Sequence, residues 1–388
     1  MTRVADVKTF IPQLKDSLYT SWINETEIAN PMSVYPDYKA RRNSWGKNAL
    51  SRYLVRVTTD DGLVGYGLGM GGEAACVIIE KHLARFLLGS DPRDVERIWD
   101  QMYRSTAHYG RGAITLSSIA GLDLALWDLC GKMRGEPVYK LLGGQTKSVL
   151  PIYGTGPHAD VYQRLGFKGA KLPLPFGPAD GEEGMKRNIS MIAGVREKVG
   201  PDFELMLDCY MALTVPYTIE LARRIEPYHI RWIEDFLLPD DYEGFLQVKS
   251  AIQPMMVATG EHEYTRNGFR FLITRRAVDV LQPDLTWMGG ITEARRIAAM
   301  AHLHDIPVIP HAQSTYSYHF VMSQPNSPMA EYVLASPSGD RVEPFLGAFF
   351  TGEPLPQDGV VTLPDKPGWG LELRPDLELA RPFTAVSG

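Results

Sequence analysis

Apolar positions along the chain change their period near its first third. Val4 to Ile11 alternates apolar and polar, which predicts a strand. Two further β runs, Ser51 to Thr58 and Leu63 to Gly69, flank Thr59-Asp60-Asp61-Gly62, and an Asp-Gly pair between alternating runs predicts a hairpin. Helical spacing then takes over from Glu73 to Leu88, from Pro92 to Arg104 and from Gly112 to Arg134, the last with Ile114, Ile119, Leu122, Leu126 and Leu129 at helical intervals. The segment Pro12 to Lys47 is polar, rich in aromatics and without a period, and a loop that long in a compact domain is either functional or disordered. The first third therefore reads as an α+β unit.

From about residue 149 short β-rich runs alternate with helical ones. The strand candidates are 150–153, 168–172, 204–207, 230–233, 255–259, 278–282, 307–310 and 329–334, with helical patterns at 217–224, 242–251 and 292–304. Such alternation implies βαβ units and a parallel sheet, and eight candidates fit a closed barrel better than an open sheet. From Pro354 the chain returns to turns and short β runs that must pack on something, most simply the first unit.

Composition narrows the class of partner. The 388 residues are 44% hydrophobic and 22% charged, an ordinary globular mix. Forty basic against forty-six acidic residues give a net charge of −6, which argues against nucleic acid or an anionic membrane as partner. Cys76, Cys130 and Cys209 are odd in number and far apart, so a reducing, cytoplasmic location is expected rather than a disulfide framework. No apolar run reads as a membrane span, and the start lacks the apolar core of a signal peptide. Gly65-x-Gly67-x-Gly69 lacks the Lys and Ser/Thr of a phosphate loop and reads as a turn-rich rim. Cys209 has no base beside it to mark a nucleophile.

The chemistry-bearing residues sit at strand ends. Asp208, Glu234 and Glu261 close or follow three successive strand candidates, 26 and 27 residues apart, about one βα unit each. On the C-terminal face of a barrel those ends lie side by side. Three converging carboxylates repel unless a cation neutralises them, and an oxygen-only set with open positions suits Mg²⁺. Asp235, next to Glu234, is expected to point away across the pleat. Asp284 and His311 end the next two candidates, and an Asp orienting a His is a general-base arrangement. Glu331, at the start of the eighth, is read either as a hydrogen-bonding partner of a substrate or as half of a structural pair.

At these residues the sequence resembles the enolase superfamily, in its mandelate racemase-like group. The carriers are the join Gly121 to Gly144, the Asp/Glu/Glu series and the Asp284–His311 pair. Within that group Asn30 to Gly46, LMLDCY, QPDLTWMGGIT and Asp365 to Leu373 resemble the L-rhamnonate dehydratases. The resemblance implies a modified TIM barrel, (β/α)7β, over residues 141–354. It implies an α+β capping domain over 1–140, completed by 355–388. It implies Mg²⁺ on Asp208, Glu234 and Glu261, and a small sugar-acid substrate bound through its carboxylate. Family analogy adds a homo-oligomer.

Racemases of the group carry Lys-x-Lys at the end of the second barrel strand. Here Lys171 fills the first place and Pro173 the second. With His311 as the one base, dehydration is favoured over the alternative, epimerisation or racemisation, and Lys171 serves as a fixed positive charge. The segment 12–47 becomes the loop over the barrel mouth. Arg42 is the candidate carboxylate or hydroxyl contact and Trp22 an apolar wall. Where bacterial members are expected to carry His before that Trp, this chain has Ser21, so L-lyxonate and L-mannonate stand beside L-rhamnonate as substrates. His262 is placed to meet the Asp284–His311 pair or the substrate, or to act as a hydrogen-bonded support. A catalytically silent scaffold protein would lack a ligand or the base, and none is missing.

Overall fold

The structure, a computed structural model, describes residues 2–13, 22–39, 41–46 and 49–383. The predicted hairpin forms between β2 (Arg52–Thr59) and β3 (Val64–Met70), and β1 (Val4–Gln13) pairs antiparallel with β2. The turn closes through Gly62, whose φ of 87° is the reason a glycine stands there. The alternation that predicts these strands buries Tyr53, Val55 and Val57 on the face that the helix Ala113–Arg134 covers.

That helix lies almost against the sheet because β3 has no side chains in the way. A Cβ on Gly67 would stand 2.0 Å from the carbonyl oxygen of Gly121, and one on Gly65 would stand 2.3 Å from that of Ala125. The glycine run is thus a helix-packing strip, not the turn-rich rim read from the sequence. The helix itself is long and apolar enough by composition to cross a membrane, contrary to the reading of the apolar runs. With 89% of the relevant window buried inside the protein, it is a core helix.

Seven strands form a curled parallel sheet: β4 (Leu150–Thr155), β5 (Gly169–Pro173), β6 (Glu204–Asp208), β7 (Ile230–Glu234), β8 (Met256–Thr259), β9 (Val280–Leu281) and β10 (Ala330–Val333). They run in the order β10-β4-β5-β6-β7-β8-β9, so β10 closes back on β4. The expected strand at 307–310 is instead an extended segment with one parallel bridge, Leu281 to Val308. Pro307 and Pro310 have no N–H to give a ladder. The helix Thr315–Ser323, absent from the sequence reading, is buried on every side and so shows no amphipathic stripe.

The tail forms short strands: β11 (Phe350–Thr351) with β13 (Glu372–Leu373), β12 (Val360–Val361) antiparallel to β4, and β14 (Glu378–Ala380) beside β1. Between them Trp369 is buried on the core helix, donating from Nε1 to Leu124 O at 2.9 Å. The tail therefore packs on both units, β14 and Trp369 on the first and β12 on the barrel strand β4.

Candidate active site

The parallel register places three strand ends in a row: Pro173 opposite Asp208, and Asp208 opposite Glu234. Glu261 follows three residues after Ala258, the register partner of Glu234. Beside them lies a cavity of about 660 Å³, walled by barrel residues on one side and by the segment 22–50 on the other. Two backbone hydrogen bonds fasten that segment to the barrel: Ala29 N to Leu174 O and Trp22 N to Pro337 O, each 2.9 Å. Lys39 pairs with Asp180 on the same side.

Lys171 is fully buried among acids. Its Nζ pairs with Glu234, lies 2.8 Å from Glu331 and 4.0 Å from Asp208. Burial pushes its pKa down, but Glu234 and Glu331 outweigh that and hold the ammonium well above its usual range. The acids around Lys171 thus favour its charged form. Glu331 answers it. Despite burial, Lys171 and His311 hold the Glu331 carboxyl down to about 2, and Glu331 also accepts from Thr155 Oγ1 and, at 2.8 Å, from Ala312 N. Glu331 forms the pair of one sequence reading and also lines the cavity, where the other reading, a contact to substrate, places it.

His311 donates or accepts at Nδ1 with Asp284 Oδ2, 2.8 Å away, and its Nε2 stands 3.4 Å from Glu261. Asp284 accepts only, so the Nδ1 proton belongs to the histidine and Nε2 is turned to the cavity side. Burial pulls the imidazole pKa down, but Glu261, Asp284 and Glu331 carry it up to about 10.

Asp235 does not point away. Its φ of 44° breaks the pleat, and its buried carboxylate meets His262 Nδ1 at 3.0 Å and Thr259 Oγ1. A pleat argument assumes extended backbone, and this residue leaves it. His262 therefore supports a second His–Asp pair. Its Nε2 is 3.5 Å from Glu261, and Trp287 stands between the two imidazoles with ring centroids 5.5 Å from each.

Charge crowding decides whether a cation fits. Burial first, then Asp208 and Glu331 against the relief from Lys171, pushes Glu234 up to about 8, and burial also raises Glu261. Carboxylates crowded in a buried site are short of positive charge, so an oxygen-only divalent cation suits Asp208, Glu234 and Glu261. In this structure Glu234 is shared among Lys171, Trp232 Nε1 at 3.1 Å and Gln282 Nε2 at 2.6 Å. Among the described residues, the ligand atoms that lie within 4.8 Å of one another belong to Asp235, Glu261 and His262.

On the opposite wall Arg42 is buried and stacked over Tyr210, 3.8 Å to the ring centroid, with no hydrogen-bond partner for Nε or Nη2 among the described residues. Trp22 donates to Leu334 O at 2.8 Å and forms a separate apolar cluster with Ile28, Ala312 and Val333. Ser21 lies outside the described residues. Tyr210, Gln282, Trp287 and Gln313 escaped the sequence reading. Gln282 alone carried a local signal, two residues before Asp284 at a strand end.

A curled parallel sheet with acids at successive strand ends and a separate α+β layer over its mouth defines a class. Residues 158–377 match the family "Enolase C-terminal domain-like", and residues 39–143 match "Mandelate racemase / muconate lactonizing enzyme, N-terminal domain". The chain belongs to the enolase superfamily. More particularly, it is 49% identical over 359 residues to a Caldivirga maquilingensis protein named "Putative L-rhamnonate dehydratase", covering 92% of this chain and 90% of that one. It superposes on the crystal structure of L-rhamnonate dehydratase from Gibberella zeae with a TM-score of 0.94 at 44% identity, covering 98% and 97% of the two chains. The Gibberella zeae enzyme complexed with Mg gives 0.95 at 43% identity, with the same coverage.

Proposed function

We propose that this chain is a Mg²⁺-dependent hydro-lyase of acid sugars, L-rhamnonate foremost, with L-lyxonate and L-mannonate as further candidates. The observation that carries the reading is the His311–Asp284 pair at the cavity wall, with Pro173, which cannot titrate, in the second place of the Lys-x-Lys pattern. Lys171 is poorly suited to that role, because its acid partners favour the protonated ammonium. The relatives named for L-rhamnonate dehydratase activity support the substrate.

Asp208, Glu234 and Glu261 are the residues that would hold Mg²⁺. When bound, the cation supplies positive charge that offsets the charge developing on the substrate carboxylate and the pull of Glu261 on the His311 proton. His311 Nε2 takes the C2 proton, with Asp284 holding the ring and its tautomer. His311 then gives that proton to the C3 hydroxyl on the same face, which leaves as water. The C2–H electron pair becomes the C2=C3 bond, and the enol tautomerises to a 2-keto-3-deoxy acid. Lys171 keeps a fixed positive charge beneath the carboxylate. Arg42, with unpartnered nitrogens in the cavity wall, binds a hydroxyl or carboxylate oxygen, and Trp22 walls the distal carbon. His262 is a support for Glu261 or a substrate contact.

The domains follow as a cap of residues 1–140 and 355–388 over a barrel of 141–354. We also propose a cytoplasmic homo-oligomer. The three cysteines, all free and buried, suit a reducing compartment. The test is an acid-sugar library with semicarbazide detection of 2-keto acids, with Mg²⁺ and with EDTA. L-Rhamnonate should give product only with the metal. No product from any 6-deoxy or pentonic acid would overturn the reading.

A further inference from the structure

Behind the base, three consecutive residues without a glycine among them, Ala312, Gln313 and Ser314, all have positive φ, at 37°, 60° and 47°. L residues leave that region when nothing holds them. Each of the three is held by a different carboxylate: Ala312 N by Glu331, Gln313 Nε2 by Asp284 and Ser314 Oγ by Glu353.

The middle contact is the informative one. Asp284 is fully buried, and its oxygens are divided. Oδ1 accepts from Thr286 N and Oγ1, at 2.7 and 2.8 Å. Oδ2 accepts from His311 Nδ1 at 2.8 Å and from Gln313 Nε2 at 2.6 Å. The other end of the Gln313 amide, Oε1, accepts from Arg52 Nη1 at 3.3 Å. A carboxylate only accepts and a guanidinium only donates, so both neighbours demand the same orientation of the amide. Arg52 is the first residue of β2, an inner strand of the antiparallel sheet, opposite Met70 of β3, and both Arg52 and Gln313 line the cavity. A continuous line of hydrogen bonds therefore runs from the α+β layer to the base: Arg52, Gln313, Asp284, His311.

We propose that Gln313 is a positioning residue for proton abstraction, and that through it Arg52 ties the seating of the α+β layer to the aim of His311. This rests on the reading of His311 as the base. Gln313 is the bridge because its amide offers a donor to Asp284 and, from a separate atom, an acceptor to Arg52. A Leu of similar size leaves Oδ2 with one donor and frees the carboxylate to swing about the Thr286 contacts. The imidazole follows it.

The experiment compares Gln313→Leu, Arg52→Met and the double variant in Mg²⁺-loaded full-length enzyme, on the acid sugar that the library identifies. Gln313→Leu should lower kcat about tenfold with KM within about twofold, the scale of one lost hydrogen bond to a charged group. Arg52→Met should lower kcat by about threefold, and the double variant should be no slower than Gln313→Leu, because the two act in series. A Gln313→Leu enzyme within twofold of the parent in kcat, or effects that multiply in the double variant, would overturn the relay. The second readout needs no turnover: the His311 Nδ1–H proton resonance in ¹⁵N-histidine-labelled protein, assigned by its loss in His311→Asn. It should shift in Gln313→Leu, and an unmoved resonance overturns the proposal. If no acid sugar is converted, the functional reading fails and this resonance alone decides the relay. Should Gln313→Leu not fold, Arg52→Met at the half-buried start of β2 carries both measurements.

Discussion

The two walls of the cavity are built on opposite plans. On the barrel side the charged groups answer one another: Lys171 with Glu234 and Glu331, His311 with Asp284, His262 with Asp235. On the side of the segment 22–50, Arg42 has two nitrogens without a partner among the described residues, and Trp22 presents an apolar face. The barrel wall is preorganised around charges fixed at strand ends, so it suits bond-making chemistry. The other wall leaves donors and apolar surface for something else to meet, so it suits recognition. Substitutions on the first should strike kcat or the fold, and substitutions on the second should strike KM and selectivity.

The largest expected effect is at the base. His311→Asn should lower kcat by about 10²- to 10⁴-fold with little change in KM, measured by keto-acid formation. Retained turnover would place the chemistry elsewhere. Next is Lys171→Met, which strands Glu234 and Glu331 in the interior without their cation. Urea unfolding in EDTA should show about 3 kcal/mol of destabilisation, the scale for one partner removed from a buried pair. A neutral result would mean that the acids are protonated and the wall is not built on charge.

Across the cavity, Arg42→Met should lower kcat/KM by about tenfold, mostly through KM, because a charge-assisted contact to substrate is lost while the base is untouched. A loss confined to kcat would erase the division between the walls.

The smallest effect tests the joint between the two layers. His319 lies on the buried helix Thr315–Ser323, accepts from Tyr139 N at 3.1 Å and stacks edge-on against Trp369 of the tail. Burial holds its imidazole neutral, with the pKa down at about 3 against an ordinary 6.5. Between those values the unfolded chain binds a proton that the folded chain does not, so stability is present above pH 6.5 and is lost as pH falls toward 3. The slope is about 1.4 kcal/mol per pH unit. His319→Asn keeps an acceptor and removes the titration. The difference in unfolding free energy between parent and variant should therefore shrink or change sign on going from pH 7 to pH 5. A difference independent of pH would show that His319 is solvated.

What the sequence made legible follows the same division. Strand-end acids recur at the length of a βα unit, so Asp208, Glu234, Glu261, Asp284 and His311 could be placed from spacing. Their barrel partners could not. Asp235 reaches His262 by leaving the extended backbone, and Gln313 reaches both Asp284 and Arg52 across 29 and 261 positions of chain. No local period records such contacts. The 307–310 run kept its place in the barrel but not its ladder, because two prolines removed the donors. The segment 22–50 has no repeating period at all, so Arg42 and Trp22 came from resemblance and not from pattern.

The central claim is that one base, on one face of the substrate, removes the C2 proton and expels the C3 hydroxyl. It is tested most directly by incubating L-rhamnonate with the Mg²⁺-loaded enzyme in D₂O and following both carbon centres by NMR. The account predicts a 2-keto-3-deoxy acid carrying deuterium at C3, and recovered substrate of unchanged configuration at C2. Recovered substrate with inverted, deuterated C2 and no keto acid would contradict it.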